Sequence, residues 1–248
     1  MLAQRSGPIL TLAVLIGLWQ LAVRLFALPS YLVPAPSDVV AAFVTQPMVL
    51  INDTRVTGFE VVVSYLTCIV IGIPLGILAA KSALFSRTVY PLLVASQSVP
   101  ILAAAPLLIV WFGYGLESKV IVAFLITFFP IVVGTVVGLR SVQPETRSLA
   151  RSMGIGSLQT FVKIELPAAL PSLFAGLKVA TAIAIIGAVV GEFLSSSAGL
   201  GYRVLVATGT LQTPLLFAAL VTMVVMGLVS FTIVSLLERI AAPWRFGR

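Results

Sequence analysis

Histidine is absent from this 248-residue chain, and cysteine occurs once, at Cys68. Without imidazole there is no histidine metal site, no histidine proton relay and no Ser-His or Cys-His catalysis. A lone cysteine cannot close an intrachain disulfide, and Cys68, set in an apolar run, reads as a core filler rather than a reactive thiol. No Gly-Lys-[Ser/Thr] occurs, which excludes ATP hydrolysis by a P-loop. Charge is scarce as well, at 9% of residues. No extra soluble domain, linker or low-complexity tract interrupts the chain, so it reads as one domain over 1–248.

What fills the space is apolar. Hydrophobic residues make up 60% of the sequence and the mean hydropathy is +1.16, values incompatible with a soluble globule. The pattern predicts an all-α polytopic membrane protein of about six spans. Pro8 to Leu28 reads as an uncleaved first helix, since it is long, contains Trp19 and lacks a small-x-small cleavage site. Tyr31 to Arg55 reads as a loop holding a short interfacial helix, Val39 to Val44, under a Ser37-Asp38 cap. Val61 to Ala80 is the second span. Thr88 to Gly113 is the third, and its Pro91, Pro100 and Pro106 predict a kinked or broken helix, tolerable where it is buried in protein or lines a cavity. Val120 to Leu139, Leu173 to Leu194 and Pro214 to Leu237 complete the set. Lys178 is expected to snorkel near one end of the fifth span, and Ser195 to Thr213 reads as a polar connector.

Charge placement orients these spans. With the N-terminus inside, eleven cations fall on the inner side: Arg5, Lys81, Arg87, Arg140, Arg147, Arg151, Lys163, Lys178, Arg239, Arg245 and Arg248. Four of the fifteen, Arg24, Arg55, Lys119 and Arg203, fall outside. The bias follows the positive-inside rule and places both termini in the cytoplasm. The net charge of +7 therefore reflects topology in a lipid bilayer rather than nucleic-acid binding.

The polar segment from Leu139 to Lys178 stands apart, and on the same count it is cytoplasmic. Ser148 to Met153 suits a helix, and Gly154 and Gly156 can take the left-handed conformation that ends one helix and begins another. Ser157 reads as the N-cap of Leu158 to Ile164, a helix that Pro167 should stop. Leu158, Phe161 and Val162 form an apolar stripe too short for a core of its own, a shape suited to a groove on another protein.

The spacing of this segment resembles the cytoplasmic signature loop of importer permeases of the ATP-binding-cassette (ABC) class: Glu-Ala-Ala, three residues, Gly, nine residues, Ile-x-Leu-Pro. Ala150, Gly154, Ile164, Leu166 and Pro167 match, while Ser148 and Leu149 replace the Glu and first Ala. Val33 to Ser37 also resembles this permease family, and Trp111 to Gly115 with Ser118-Lys119, Phe128-Phe129-Pro130, Gly191-Glu192-Phe193 and Gly199 to Tyr202 resemble its nitrate, sulfonate and taurine type, which also includes importers of pyrimidine vitamin precursors and riboflavin.

That resemblance implies a type I ABC importer permease fold in the cell inner membrane. It implies a transport subunit rather than an enzyme, with two copies of a separate ATPase using ATP and Mg and no cofactor bound by this chain. A periplasmic or lipid-anchored solute-binding protein would deliver substrate, and a second permease copy, as a homodimer, would complete the pathway. Ser148, Ala150, Gly154, Gly156, Phe161, Ile164, Leu166 and Pro167 would then form the ATPase-coupling loop, acting as a lever.

Pathway residues are harder to read. Gln97 and Ser98, beside Pro100, suit either a substrate cavity or the satisfaction of backbone freed by the proline. Glu192 suits either a translocation role or a carboxylate touching water at the outer helix end. Gly176, Ala180, Ala184 and Ala188, with the Gly187-x-x-x-Gly191 pair, form a small-residue face favouring a gate or dimer seam over packing within the chain. An ion-coupled secondary transporter is the rival class, and it needs coupling-ion residues that the spans largely lack. The central spans also lack Lys and Arg, which favours a flat heterocycle of riboflavin or thiamine-pyrimidine type over nitrate, sulfonate or taurine.

Overall fold

The third span is broken where the prolines cluster. In the computed structural model, which describes residues 2–246, α4 (Ala83–Ser96) and α5 (Ile101–Phe112) meet at 98°. Pro100 caps α5 from an extended conformation, so the turn falls where proline disfavours helical geometry in the residue before it.

The described residues are otherwise helix, turn and short connections, without a strand. The elements run α1 (Leu2–Leu25), α2 (Pro36–Thr45), α3 (Pro47–Lys81), α4, α5, α6 (Leu116–Arg140), α7 (Pro144–Ser152), α8 (Ser157–Thr160), a π-turn (Phe161–Glu165), α9 (Leu166–Ser195), α10 (Leu200–Gly209), α11 (Thr213–Ala241) and α12 (Pro243–Phe246). Among the described residues, four helical runs are long and apolar enough to cross a membrane, namely α3, α6, the run Ser157–Ser195 and α11. The bent α4–α5 pair makes five if it is one span. The sixth expected span corresponds to α1, whose apolar part Leu10–Leu25 is shorter. Arg248 lies outside the described residues, as does the side chain of Arg5.

Two units divide the chain. One takes the described residues up to Val56 together with Ser197–Val224. Here Trp19 packs on Phe217 with ring centroids 5.7 Å apart. Gln20 and Arg24, the polar residues of the first span, both reach Ser37: Gln20 Nε2 donates to its hydroxyl at 3.2 Å and Arg24 at 3.4 Å. Ser37 is therefore taken by α1 and does not cap α2. The cap is Ala35, whose N–H donates to the Asp38 carboxylate at 3.1 Å.

The other unit, Thr57–Ser196 with the described residues from Val225 onward, is built on the antiparallel pair α6 and α9. Their backbones touch. A Cβ on Gly176 would sit 2.5 Å from the Pro130 carbonyl, and one on Gly187 would sit 2.7 Å from the Ala123 Cα. Ala180, Ala184 and Ala188 are fully buried. The small-residue face expected to form a gate or dimer seam is thus filled by α6 of the same chain, the close approach that small residues allow in membrane helices. Phe128, Ile131, Val132 and Val136 of α6 and Leu173, Phe174 and Leu177 of α9 form the core, against Cys68 of α3.

Three other expectations are corrected. The segment before Val61 is no loop: α3 begins at Pro47, because Asp53 and Glu60, which mimic loop polarity, are 3% and 2% exposed and paired inside. The connector after Ser195 contains α10. Lys178 does not snorkel, since it pairs with the buried Glu238, which also accepts from Arg245. Its ammonium lies 5.5 Å from the centroid of the Phe231 ring.

Candidate functional site

The polar segment folds into two short helical pieces joined by a closed turn. Pro144, at the first position of α7, needs no N–H there. The helix ends in a Schellman motif: Ile155 N–H donates to the Ala150 carbonyl at 3.0 Å and Gly154 N–H to the Arg151 carbonyl at 3.0 Å. The motif needs a left-handed residue, and Gly154 supplies it with φ +74°. Gly156 differs from expectation. Its φ is −65° and it caps α8, so Ser157 is the first helical residue rather than the cap.

Pro167 does not stop the second piece. The π-turn places the Leu166 N–H on the Phe161 carbonyl, and Pro167 then sits in the first turn of α9, where its missing donor costs nothing. The loop is therefore continuous with the long helix behind it.

Glu165, inside that π-turn, anchors the loop. It is 2% exposed. Arg147 Nε donates to its Oε1 at 2.9 Å, and the Lys81 ammonium donates to Oε2. Arg147 also donates to the Leu139 carbonyl at 2.7 Å, tying α7 to the end of α6. Nearby, Arg140 donates to the Ala79 carbonyl at 2.9 Å and to Ser86 at 2.7 Å. Lys81, Arg147, Arg151, Ser157, Thr160 and Glu165 line a cleft of about 250 Å³. Buried ion pairs of this kind fix geometry more surely than they add stability.

The apolar stripe is repartitioned. Phe161 is half-buried beneath the Lys81 ammonium, 5.2 Å from its ring centroid. Leu158 and Val162 are exposed, and Leu149 and Met153 of α7 are exposed as well. Ala150 is buried, Ile164, Leu166 and Pro167 are half-buried, and Ser148 is exposed with its hydroxyl on the Pro144 carbonyl.

At the other ends of α6 and α9 the ionisable groups are enclosed. Lys119 donates to Glu60 at 2.8 Å and to Ser196 at 2.9 Å, and Thr57 donates to Glu192 at 2.6 Å. Glu192 is fully buried, which removes the reading of a carboxylate touching water. In the first unit, Asp53 takes Arg203 Nε at 2.7 Å and the Gly199 N–H at 3.1 Å. Gln97 and Ser98 lie exposed at the α4–α5 break.

Glu165, Glu60, Asp53 and Glu238 went unremarked in the sequence. A usable signal existed: each acid in or beside an apolar run needs a cation, and Lys81, Lys119, Arg203 and Lys178 were the ones at hand.

Residues 72–245 match the family described as binding-protein-dependent transport system inner membrane component. The chain is 39% identical to a probable ABC transporter permease protein of Haemophilus influenzae, over 94% of this chain and 95% of that one. It is 36% identical to the formylaminopyrimidine transport permease protein ThiX of Halalkalibacterium halodurans, over 98% and 97% of the two chains. It is 38% identical to the riboflavin transport system permease protein RibX of Chloroflexus aurantiacus, over 96% and 90%.

Proposed function

The chain belongs to the binding-protein-dependent transport system inner membrane component family and is the multi-pass permease subunit of an ABC importer, not an enzyme; from that premise we propose that its Gly154 loop docks a separate ATPase and that its cargo is a flat heterocyclic nutrient. The observation that carries the docking role is the exposure of Leu149, Met153, Leu158 and Val162 on a loop locked from behind by Glu165. A patch held so firmly moves as a body, and α9 continues from it without a hinge. ATPase closure would then be passed directly to α9.

In this reading two ATPase copies, each using ATP and Mg, drive a homodimer of this chain, and a solute-binding protein delivers the cargo. The Gly154 loop and both termini face the cytoplasm. Gln97 and Ser98, exposed at the broken span, are proposed to contact substrate; Glu192, enclosed by its own chain, is not. Two of the similar permeases are named for formylaminopyrimidine and riboflavin, both flat nitrogen heterocycles, which supports the substrate class. Nitrate, sulfonate or taurine is the other reading of the cargo.

Proteoliposomes holding this chain, its ATPase and its binding protein test both parts. Uptake of riboflavin or formylaminopyrimidine, dependent on ATP and abolished without the ATPase, is expected. Uptake of taurine or nitrate alone would reassign the cargo, and uptake driven by an ion gradient without ATP would overturn the docking role.

A further inference from the structure

Three membrane helices end around the cleft at the base of the Gly154 loop. α3 stops at Lys81, α6 stops at Arg140 and α9 starts at Leu166. Arg147, reaching the Leu139 carbonyl, and Glu165, just before α9, close the cleft between those ends. It therefore lies level with the bilayer surface, where lipid headgroups sit.

Its walls carry more positive than negative charge. Lys81, Arg147 and Arg151 line it with a single carboxylate, Glu165, which leaves a surplus of two positive charges. Both oxygens of that carboxylate are taken, one by Arg147 Nε and the other by the Lys81 ammonium. Arg151 is left over. Its Nε donates to the Arg147 carbonyl at 3.5 Å, and no carboxylate pairs with it among the described residues. Ser157, exposed at the rim, adds a hydroxyl.

A second cleft opens from the first. Lys81 and Ser157 also line a groove of about 340 Å³ whose other walls are Ile77, Leu158 and Phe161. Ile77 stands one turn back from Lys81 along α3, about 6 Å deeper in the span. A cationic cleft at the bilayer surface thus passes into an apolar groove that enters the hydrocarbon. A free anion would use only the first part. A molecule that uses both has a phosphate at one end and hydrocarbon at the other.

We propose that the joined clefts bind an anionic phospholipid, with Arg151, Lys81 and Ser157 donating to its phosphate oxygens and its first acyl carbons lying along Ile77 and Phe161. Basic pockets between membrane helices suit such headgroups, and arginine matches phosphate geometry. The lipid belongs to the inner leaflet, which rests on the reading that the Gly154 loop is cytoplasmic. Bound there, it joins the end of α3 to α7 and α8, so membrane composition sets how firmly the loop is held.

The full chain in nanodiscs of phosphatidylcholine and phosphatidylglycerol, without ATPase or binding protein, tests this. After extraction and washing in detergent, native mass spectrometry should find phosphatidylglycerol, and not phosphatidylcholine, retained on the chain. Arg151→Gln should lower that retention about fivefold, the effect of one basic residue at an anionic surface. Ile77→Trp fills the groove and should lower it with every charge kept. Arg87→Gln removes an exposed cation of α4 that lines neither cleft and should change nothing. Melting in phosphatidylcholine alone checks that each variant folds, and Ser157→Ala, with a smaller loss of retention, replaces Ile77→Trp if that variant does not. Equal retention by Arg151→Gln and wild type overturns the proposal; if that variant also loses ATPase co-purification, the cleft takes an acidic side chain of the ATPase instead. Retention that survives Ile77→Trp but is abolished by inorganic phosphate overturns it too, as the mark of a free-anion site. Retention is read without ATP or cargo, so its failure leaves the importer reading standing, and failed ATP-driven uptake with the lipid retained counts against that reading alone.

Discussion

Arg147 Nε donates to Glu165 Oε1 at 2.9 Å, joining the first helix of the Gly154 loop to the turn that leads into α9. Eighteen residues separate the partners, and the whole docking patch lies between them. The loop is therefore closed at its base like a clasp, and the Lys81 ammonium on the other carboxylate oxygen fastens it to the end of α3.

Loss of the clasp should be graded. Glu165→Gln removes the charge but keeps the shape, and is expected to cost about 1.5–3 kcal/mol, the range for hydrogen bonds to charged groups. The double variant Lys81→Met/Arg147→Met leaves a buried carboxylate without a cation and should cost more, about 3–5 kcal/mol. Thermal unfolding of the purified chain in lipid reads both. Equal melting temperatures for the double variant and wild type would show that Glu165 braces nothing.

The contact between α6 and α9 makes a sharper demand. Gly176→Val would place atoms inside the Pro130 carbonyl, where backbone on both sides prevents escape. Overpacking of this kind costs about 1–3 kcal/mol or more, so Gly176→Val should lower expression and melting temperature strongly. Gly209→Ala, with nothing within 4 Å of its added Cβ, is the control and should be neutral or slightly stabilised, since alanine has the higher helix propensity.

How far the sequence spoke depended on whether a signal was local. The proline-broken span, the Gly154 turn and the apolar helices were legible because Pro100, a left-handed glycine and long hydrophobic runs act within a few residues. Helix starts at Pro47 and Leu200 were not, because Asp53 reads as loop polarity until Arg203, 150 residues away, is seen to neutralise it. Pro167 misled for a related reason. Its meaning depends on a π-turn one residue before it, a geometry without a sequence marker. Gly176 and Gly187 carried a small-residue pattern, but the pattern does not say which helix fills it.

The two loop glycines should behave differently. Gly154 sits at φ +74° with open space around it, so Gly154→Val fails on backbone strain alone and should cost about 1–3 kcal/mol of local stability. Gly156, at φ −65°, tolerates a Cβ, and Gly156→Ala should lose at most about 1 kcal/mol as a weaker cap. Limited proteolysis at the loop distinguishes them: faster cleavage of Gly154→Val is expected, with Gly156→Ala close to wild type. Identical rates would mean that the Schellman turn does not hold the loop.

Docking depends on residues that face outward, and Phe161 is not foremost among them. Its ring lies under Lys81, so Phe161→Ala should loosen the loop from within, lowering the melting temperature together with ATPase binding. Leu158 is 73% exposed and Val162 51%, so polar replacement of either leaves the chain's own packing intact. If the patch fills a groove on the ATPase, Leu158→Asp buries a charge at the interface and should abolish co-purification, by tenfold or more in affinity for each ~1.4 kcal/mol lost. The melting temperature of Leu158→Asp alone should match wild type, which separates a docking defect from a folding one. Normal co-purification and ATP-driven uptake by a Leu158→Asp/Val162→Asp double variant would place the ATPase contact elsewhere and leave the Gly154 loop as a connector.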